Sequence, residues 1–152
     1  GGLGSASMQL NENVIVGAIV VVNAVGNVID PQTQQVIAGA RNHQSSSIFG
    51  SPFGNTTIAV IATNAALRKS EINKVAQMAH NGLALTLRPA HTLFDGDTIF
   101  ALALGPREER EDEQSAALQT SLIGATAATV LARAIVKAVR HASELHGIPA
   151  VG

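Results

Sequence analysis

The chain has 152 residues, 46% of them hydrophobic and 14% charged, with a formal net charge of −1. This suits one domain with a large core and excludes a disordered chain. The near-neutral charge and the 3% aromatic content, without Trp or Tyr, argue against a nucleic-acid partner, and the absence of Cys excludes disulfides, thiolate metal sites and Cys nucleophiles.

In chain order, Gly1 to Ser7 (GGLGSAS) is expected to be a flexible loop or the lead-in to a strand. It lacks the GK[ST] or GxGxxG pattern of a phosphate-binding loop. Met8 to Leu10 and Val14 to Val22 flank the polar turn Asn11-Glu12-Asn13 and predict a hairpin. The β-branched run VIVGAIVVV predicts a strand covered on both faces, ending at Asn23. Asn27 to Asp30 predicts a short strand before Pro31, and Val36-Ile37-Ala38 forms a small apolar patch. Asn42 to Phe53, Ser-rich and broken by Gly and Pro, predicts an exposed, mobile loop.

Thr56 to Thr63 (TTIAVIAT) predicts a second buried strand. A helix follows, with Ser70 as N-cap and Ile72, Val75, Ala76, Ala79 and Leu83 on one face. It ends by Leu87, because Pro89 disfavours a helical Arg88. Ala90 to Asp97 predicts a loop and Thr98 to Leu104 a third strand. Arg107 to Glu113 reads as a solvated linker or first helical turn. From about Ser115 to Leu145 one long helix is expected, closed by Gly147 and Pro149, with Gly124 and many Ala and Thr allowing close packing. Val14 to Val22 is too short to span a bilayer. Leu118 to Val139 carries Arg133 and Lys137, so both read as core elements and no membrane partner is expected. No signal peptide is visible, and the expected location is the cytoplasm. The order of elements predicts an α+β arrangement of strands sandwiched by helices.

Three groups could carry chemistry. A Thr hydroxyl is a weak nucleophile without an adjacent base, but an N-terminal Thr has its own α-amine, with a pKa of about 8. Thr56 is internal, so this chemistry needs cleavage between Asn55 and Thr56; the plain alternative is an ordinary strand start. Asp95 and Asp97 flank Gly96 before a strand. Close carboxylates shift each other's pKa and suit proton handling or amine binding, although Asp-Gly is also a common turn. One His (His91) and two Asp on one loop make a poor metal site, and no metal or cofactor is expected. Asn23, at a strand end, could donate to a developing oxyanion or simply terminate the strand. Arg88 and His80 read as polar helix residues.

Taken together, GGLGSAS, VVVNAVGNVIDP, GNTTIAVIATNA, AQMAHNGLA and RPAHTLFDGDTIFALA, in this order, resemble the C-terminal part of the DmpA-type aminopeptidases, the P1 or S58 peptidase family, which includes β-aminopeptidases and endo-type nylon-oligomer hydrolases. The resemblance covers nearly the whole chain. It implies an αββα four-layer sandwich of the N-terminal-nucleophile hydrolase type and an inactive precursor that cleaves itself at Asn55–Thr56. Residues 1–55 would end the α-subunit and residues 56–152 would form the β-subunit of what reads as a single domain. Thr56 is the implied nucleophile, Asn23 the oxyanion-stabilising residue, and Asp95 and Asp97 the pair beside the nucleophile. The Asp/Asp form is similar to the nylon-oligomer hydrolases, but Met8, Gln9 and Leu10 stand where those place a lysine. The family's oxyanion-supporting tyrosine lies in an N-terminal segment that precedes the matched part, and this chain has no Tyr. The implied partners are a small peptide or amide substrate, that segment of the same precursor and further copies in a homo-oligomer. Acyl transfer from the same acyl-enzyme, an endo-type nylon-oligomer hydrolase, and a non-catalytic binding module on the same fold are the alternative functions.

Overall fold

The computed structural model describes residues 1–39, 55–106, 112–147 and 150–151. The expected loop Asn42 to Phe53, residues 107–111 of the charged stretch and Pro149 lie outside the described residues. The strands are β1 (Gly2–Gln9), β2 (Ile15–Val22), β3 (Asn27–Ile29), β4 (Val36–Ala38), β5 (Ile58–Thr63), β6 (Leu87–Arg88) and β7 (Thr98–Ala103). The helices are α1 (Lys69–Thr86) and α2 (Glu113–Arg140). A four-stranded sheet runs β1-β2-β5-β7, and a small three-stranded sheet runs β4-β3-β6.

The β1–β2 hairpin forms as expected, its turn held by Asn11 Oδ1, which accepts from the Asn13 and Val14 amides, each at 2.9 Å. GGLGSAS, expected as a flexible loop or the lead-in to a strand, forms the body of β1 from Gly2 onward. The reason is long-range: Gly2 and Gly4 face α2, where a Cβ would overlap the carbonyl oxygens of Ala138 and Ala134. These glycines let a helix lie directly on the strand. Gly4→Ala is therefore expected to cost about 3 kcal/mol, the upper end of ordinary overpacking, in a denaturant titration. An unchanged midpoint would show that β1 and α2 can separate freely.

Both helices lie on one face of the main sheet. Val16, Val20, Ala59 and Ile61 point into them and meet Val75, Leu83, Val130, Leu131 and Ile135, all at most 1% exposed. Each of the Val, Leu and Ile side chains among them contributes about 1.5–3 kcal/mol of transfer free energy. Gly82 and Gly124 bring the helices close: a Cβ on Gly82 would lie 2.6 Å from the Ala128 carbonyl oxygen, and one on Gly124 would meet Met78. α2 is long and apolar enough to cross a bilayer, but 67% of its most apolar window is buried inside the fold, as suits a core helix.

The opposite sheet face corrects the expectation for β2. Its residues alternate between buried and exposed. Ile15, Ile19, Val21, Leu3, Ile58, Phe100 and Leu102 form an exposed apolar surface. The run is apolar on both sides, yet the described residues cover only one. The helix ends differ too. Arg68, not Ser70, is the N-cap of α1, because Glu71 folds back to accept from the Arg68 amide at 2.6 Å. α2 starts after Asp112, which accepts from the Gln114 and Ser115 amides, and stops at Arg140, where the core it packs against ends; Leu145 is 66% exposed.

Candidate active site

Strand directions bring the three sequence motifs to one sheet edge. β5 runs antiparallel to β2, with Ile58 opposite Val21, and parallel to β7, with Ile58 beside Thr98. Continuing both registers two residues past the strand places Asn23 opposite Thr56 and Gly96 beside it. The hydrogen bonds agree. The Thr56 amide donates to the Asn23 carbonyl at 2.9 Å, and the Gly96 amide donates to the Asn55 carbonyl at 3.4 Å. The Thr56 hydroxyl donates to that same Asn55 carbonyl oxygen at 2.7 Å. Thus the hydroxyl lies on the peptide bond that precedes its own residue. Asn23 meets Thr56 through its main chain.

The two aspartates separate. Asp97 Oδ1 accepts from the Thr57 amide at 2.8 Å and ties the start of β5 to the start of β7. Asp95 instead closes its own loop, accepting from the Thr92 amide at 2.8 Å and the Thr92 hydroxyl at 2.9 Å. Burial pushes the Asp97 carboxyl above its ordinary pKa; the Thr57 amide opposes this, and the Asp95 charge adds to it. The folded state therefore favours the protonated form, so this group's contribution to stability is present in acid and is lost as pH rises through the raised pKa.

Two features were not singled out from sequence. Gly96 lies tight against Thr56: a Cβ there would lie 2.7 Å from Thr56 Oγ1. The other is a histidine pair. His80, read as an ordinary helix residue, lies beside His91 of the loop, with ring centroids 5.3 Å apart and the planes tilted by 44°. Both histidines stand inside the motifs AQMAHNGLA and RPAHT, but only the fold brings them together. Among the described residues no cluster of His, Cys, Asp and Glu is suited to hold a metal.

Thr57 behaves differently from Thr56. Its side chain is 1% exposed, and its hydroxyl has no hydrogen-bond partner. An unpaired buried hydroxyl is destabilising, so the near-isosteric Thr57→Val is expected to raise stability by about 1 kcal/mol in denaturant melts. Lower stability would mean that this hydroxyl has a partner.

The fold and this edge define a class. The chain shares its fold with the L-aminopeptidase D-Ala-esterase/amidase from Ochrobactrum anthropi (TM-score 0.56, 19% identity, 91% of this chain and 40% of that one), described as a variant of the Ntn hydrolase fold. It shares it also with a Burkholderia β-aminopeptidase (TM-score 0.59, 22% identity, 100% of this chain and 46% of that one). The expected Ntn-type architecture is thereby established, and the described residues build a four-stranded sheet with one helix layer and a small three-stranded sheet. The model of peptidase family S58 matches residues 1–150, and the chain belongs to that family. Among relatives, an uncharacterized aminopeptidase of Mycobacterium tuberculosis is 43% identical over 98% of this chain and 50% of its own length. A 6-aminohexanoate-oligomer endohydrolase of Paenarthrobacter ureafaciens is 28% identical over 90% of this chain and 44% of its own length. The chain thus spans about half the length of these curated relatives.

Proposed function

We propose that this chain is the nucleophile-bearing part of a self-processing peptide or amide hydrolase, with Thr56 as nucleophile. The observation that carries the reading is the Thr56 hydroxyl 2.7 Å from the Asn55 carbonyl oxygen, with the Gly96 amide directed at the same oxygen. In the cleavage step, Thr56 Oγ attacks the Asn55 carbonyl carbon. Its proton passes to the departing Thr56 nitrogen, and the peptide bond becomes an ester. Negative charge develops on the Asn55 oxygen, where the Gly96 amide serves as donor and the Asn23 carboxamide as a second. Water then hydrolyses the ester, leaving an Asn55 carboxylate and a Thr56 with a free α-amine. That amine retains the Asn23 carbonyl as acceptor and acts as the base for Oγ in each later turnover. Asp97 fixes the position of the new terminus through the Thr57 amide, and Asp95 shapes the loop that carries Gly96 and Asp97.

Continuing the strand alternation puts Thr56 on the side of the exposed apolar sheet face. We place the substrate there, between this sheet and the further sheet contributed by the segment that longer relatives carry. Intact mass and N-terminal sequencing of the full-length protein test the reading. Two polypeptides are expected, the second beginning at Thr56; an active enzyme that remains a single chain would refute it.

A further inference from the structure

A hydrogen-bond donor that stabilises developing charge must point at one place, and glycine fixes direction poorly. Gly96 is not in the left-handed region, so the space beside Thr56, and not its backbone conformation, requires a glycine there. Without a Cβ it has more φ and ψ values open to it than any other residue. Its amide lies 3.4 Å from the Asn55 carbonyl oxygen, longer than the usual N–H···O range, so a small rotation of the peptide unit would lose the contact.

Two threonines outside the reacting centre hold the chain on either side of Gly96. Before it, Thr92 closes on Asp95. The Thr92 amide and hydroxyl both donate to Asp95 Oδ2, at 2.8 and 2.9 Å. The Thr92 carbonyl accepts from the Asp95 amide at 3.2 Å, and the Thr92 hydroxyl also accepts from the Phe94 amide at 3.3 Å. This fixes Asp95, whose carbonyl shares a peptide unit with the Gly96 amide. After it, the Thr98 hydroxyl donates to the Gly96 carbonyl at 3.1 Å. Thr98 is itself tied to the strand of the nucleophile, because its amide donates to the Thr57 carbonyl at 3.0 Å. Threonine is stiff at χ1, so each hydroxyl keeps its direction.

We propose that Thr92 and Thr98 are positioning residues for the Gly96 donor: their hydroxyls fix the peptide units on both sides of the Gly96 Cα and keep its amide on the Asn55 carbonyl oxygen. The proposal rests on the reading of Thr56 as nucleophile and adds to it the residues that orient the donor before charge develops. Such a donor need not reorganise during the reaction. Neither threonine touches the reacting atoms.

The test uses the full-length protein and two readouts. In a Thr56→Ala background, solvent exchange of the Gly96 amide is followed by 15N NMR, with the amides of β5 as internal reference. In the Thr56-intact protein, the rate of self-cleavage is measured. Thr92→Val and Thr98→Val keep shape but lose the hydroxyl. Each should speed exchange at Gly96 by about tenfold and leave the β5 amides unchanged, as expected for local opening. Each should slow cleavage by about tenfold, less than the full loss of an oxyanion donor. Thr92→Ser and Thr98→Ser restore the hydroxyl and should return both readouts to near the parental values. Thr98 is exposed, so Thr98→Val decides the matter if Thr92→Val does not fold. Parental cleavage rates in the valine variants, faster exchange throughout β5, or no recovery with serine would overturn the positioning role. Absence of cleavage in the parent protein would sink the Thr56 reading alone, because the exchange arm still reports on how the two hydroxyls hold Gly96.

Discussion

Thr56→Ala is expected to leave the precursor as one polypeptide and to abolish amide hydrolysis. The substitution removes one side-chain hydrogen bond, Oγ1 to the Asn55 carbonyl, which is worth about 1 kcal/mol net. The main-chain bond to Asn23 and the Thr57–Asp97 tie remain, so the fold should persist with a melting temperature close to the parent's. The chemistry loses both the attacking atom and the α-amine that cleavage would have freed. Loss of a nucleophile that works as a unit with its base lowers kcat by a factor on the order of 10⁶. Thr56→Ser keeps a hydroxyl on the same carbon and should still cleave. Mass spectrometry and an amide-hydrolysis assay on the three proteins check this together. Normal hydrolysis by Thr56→Ala would move the nucleophile elsewhere, and a folded, uncleaved and inactive parent would favour a binding module on the same fold.

Much of this arrangement was legible in the sequence because it follows local patterns. The apolar runs of β2, β5 and β7 and the apolar stripe of α1 each reflect burial against a neighbour, although only the stripe of α1 showed in the sequence which side is buried. The order of Asn23, Thr56 and the Asp95–Asp97 loop was equally visible. Their convergence was not, since it depends on β2 running antiparallel and β7 parallel to β5. Features that arise from a distant partner left no period either. Gly2 and Gly4 read as a loop or a strand lead-in because the carbonyls that require them belong to α2, more than a hundred residues away in sequence. Arg68 replaced Ser70 as cap because a carboxylate at Glu71 reached back to its amide. His80 sits on a helix and His91 in a loop, and neither position alone marks a pair. The apolar outer face was legible as hydrophobicity but not as a face lacking a cover among the described residues.

Gly96→Ala should slow self-cleavage about a hundredfold while barely affecting stability. Sequence alone makes Gly96 the turn between two aspartates, where many residues could serve. The structure gives it a stricter requirement, because an added Cβ would lie 2.7 Å from Thr56 Oγ1 and 3.5 Å from its Cγ2. The hydroxyl must then swing off the Asn55 carbonyl or the loop must retreat. Alanine keeps the main-chain N–H, so the donor to the Asn55 oxygen survives, and the substitution isolates crowding from loss of that hydrogen bond. A displacement of about 1 Å in a reacting group can cost about 10² in rate. Little stability is at risk, since the Thr56 side chain is only partly buried and has room to turn away. The time course of the Asn55–Thr56 break, followed by denaturing gel alongside a thermal melt, separates the two effects. A variant that melts like the parent but cleaves slowly would place Gly96 as the residue that sets the nucleophile's approach. If it cleaved at the parental rate, Thr56 Oγ would have to attack from a rotamer other than the one seen here, and the hydrogen bond to Asn55 would be a resting contact.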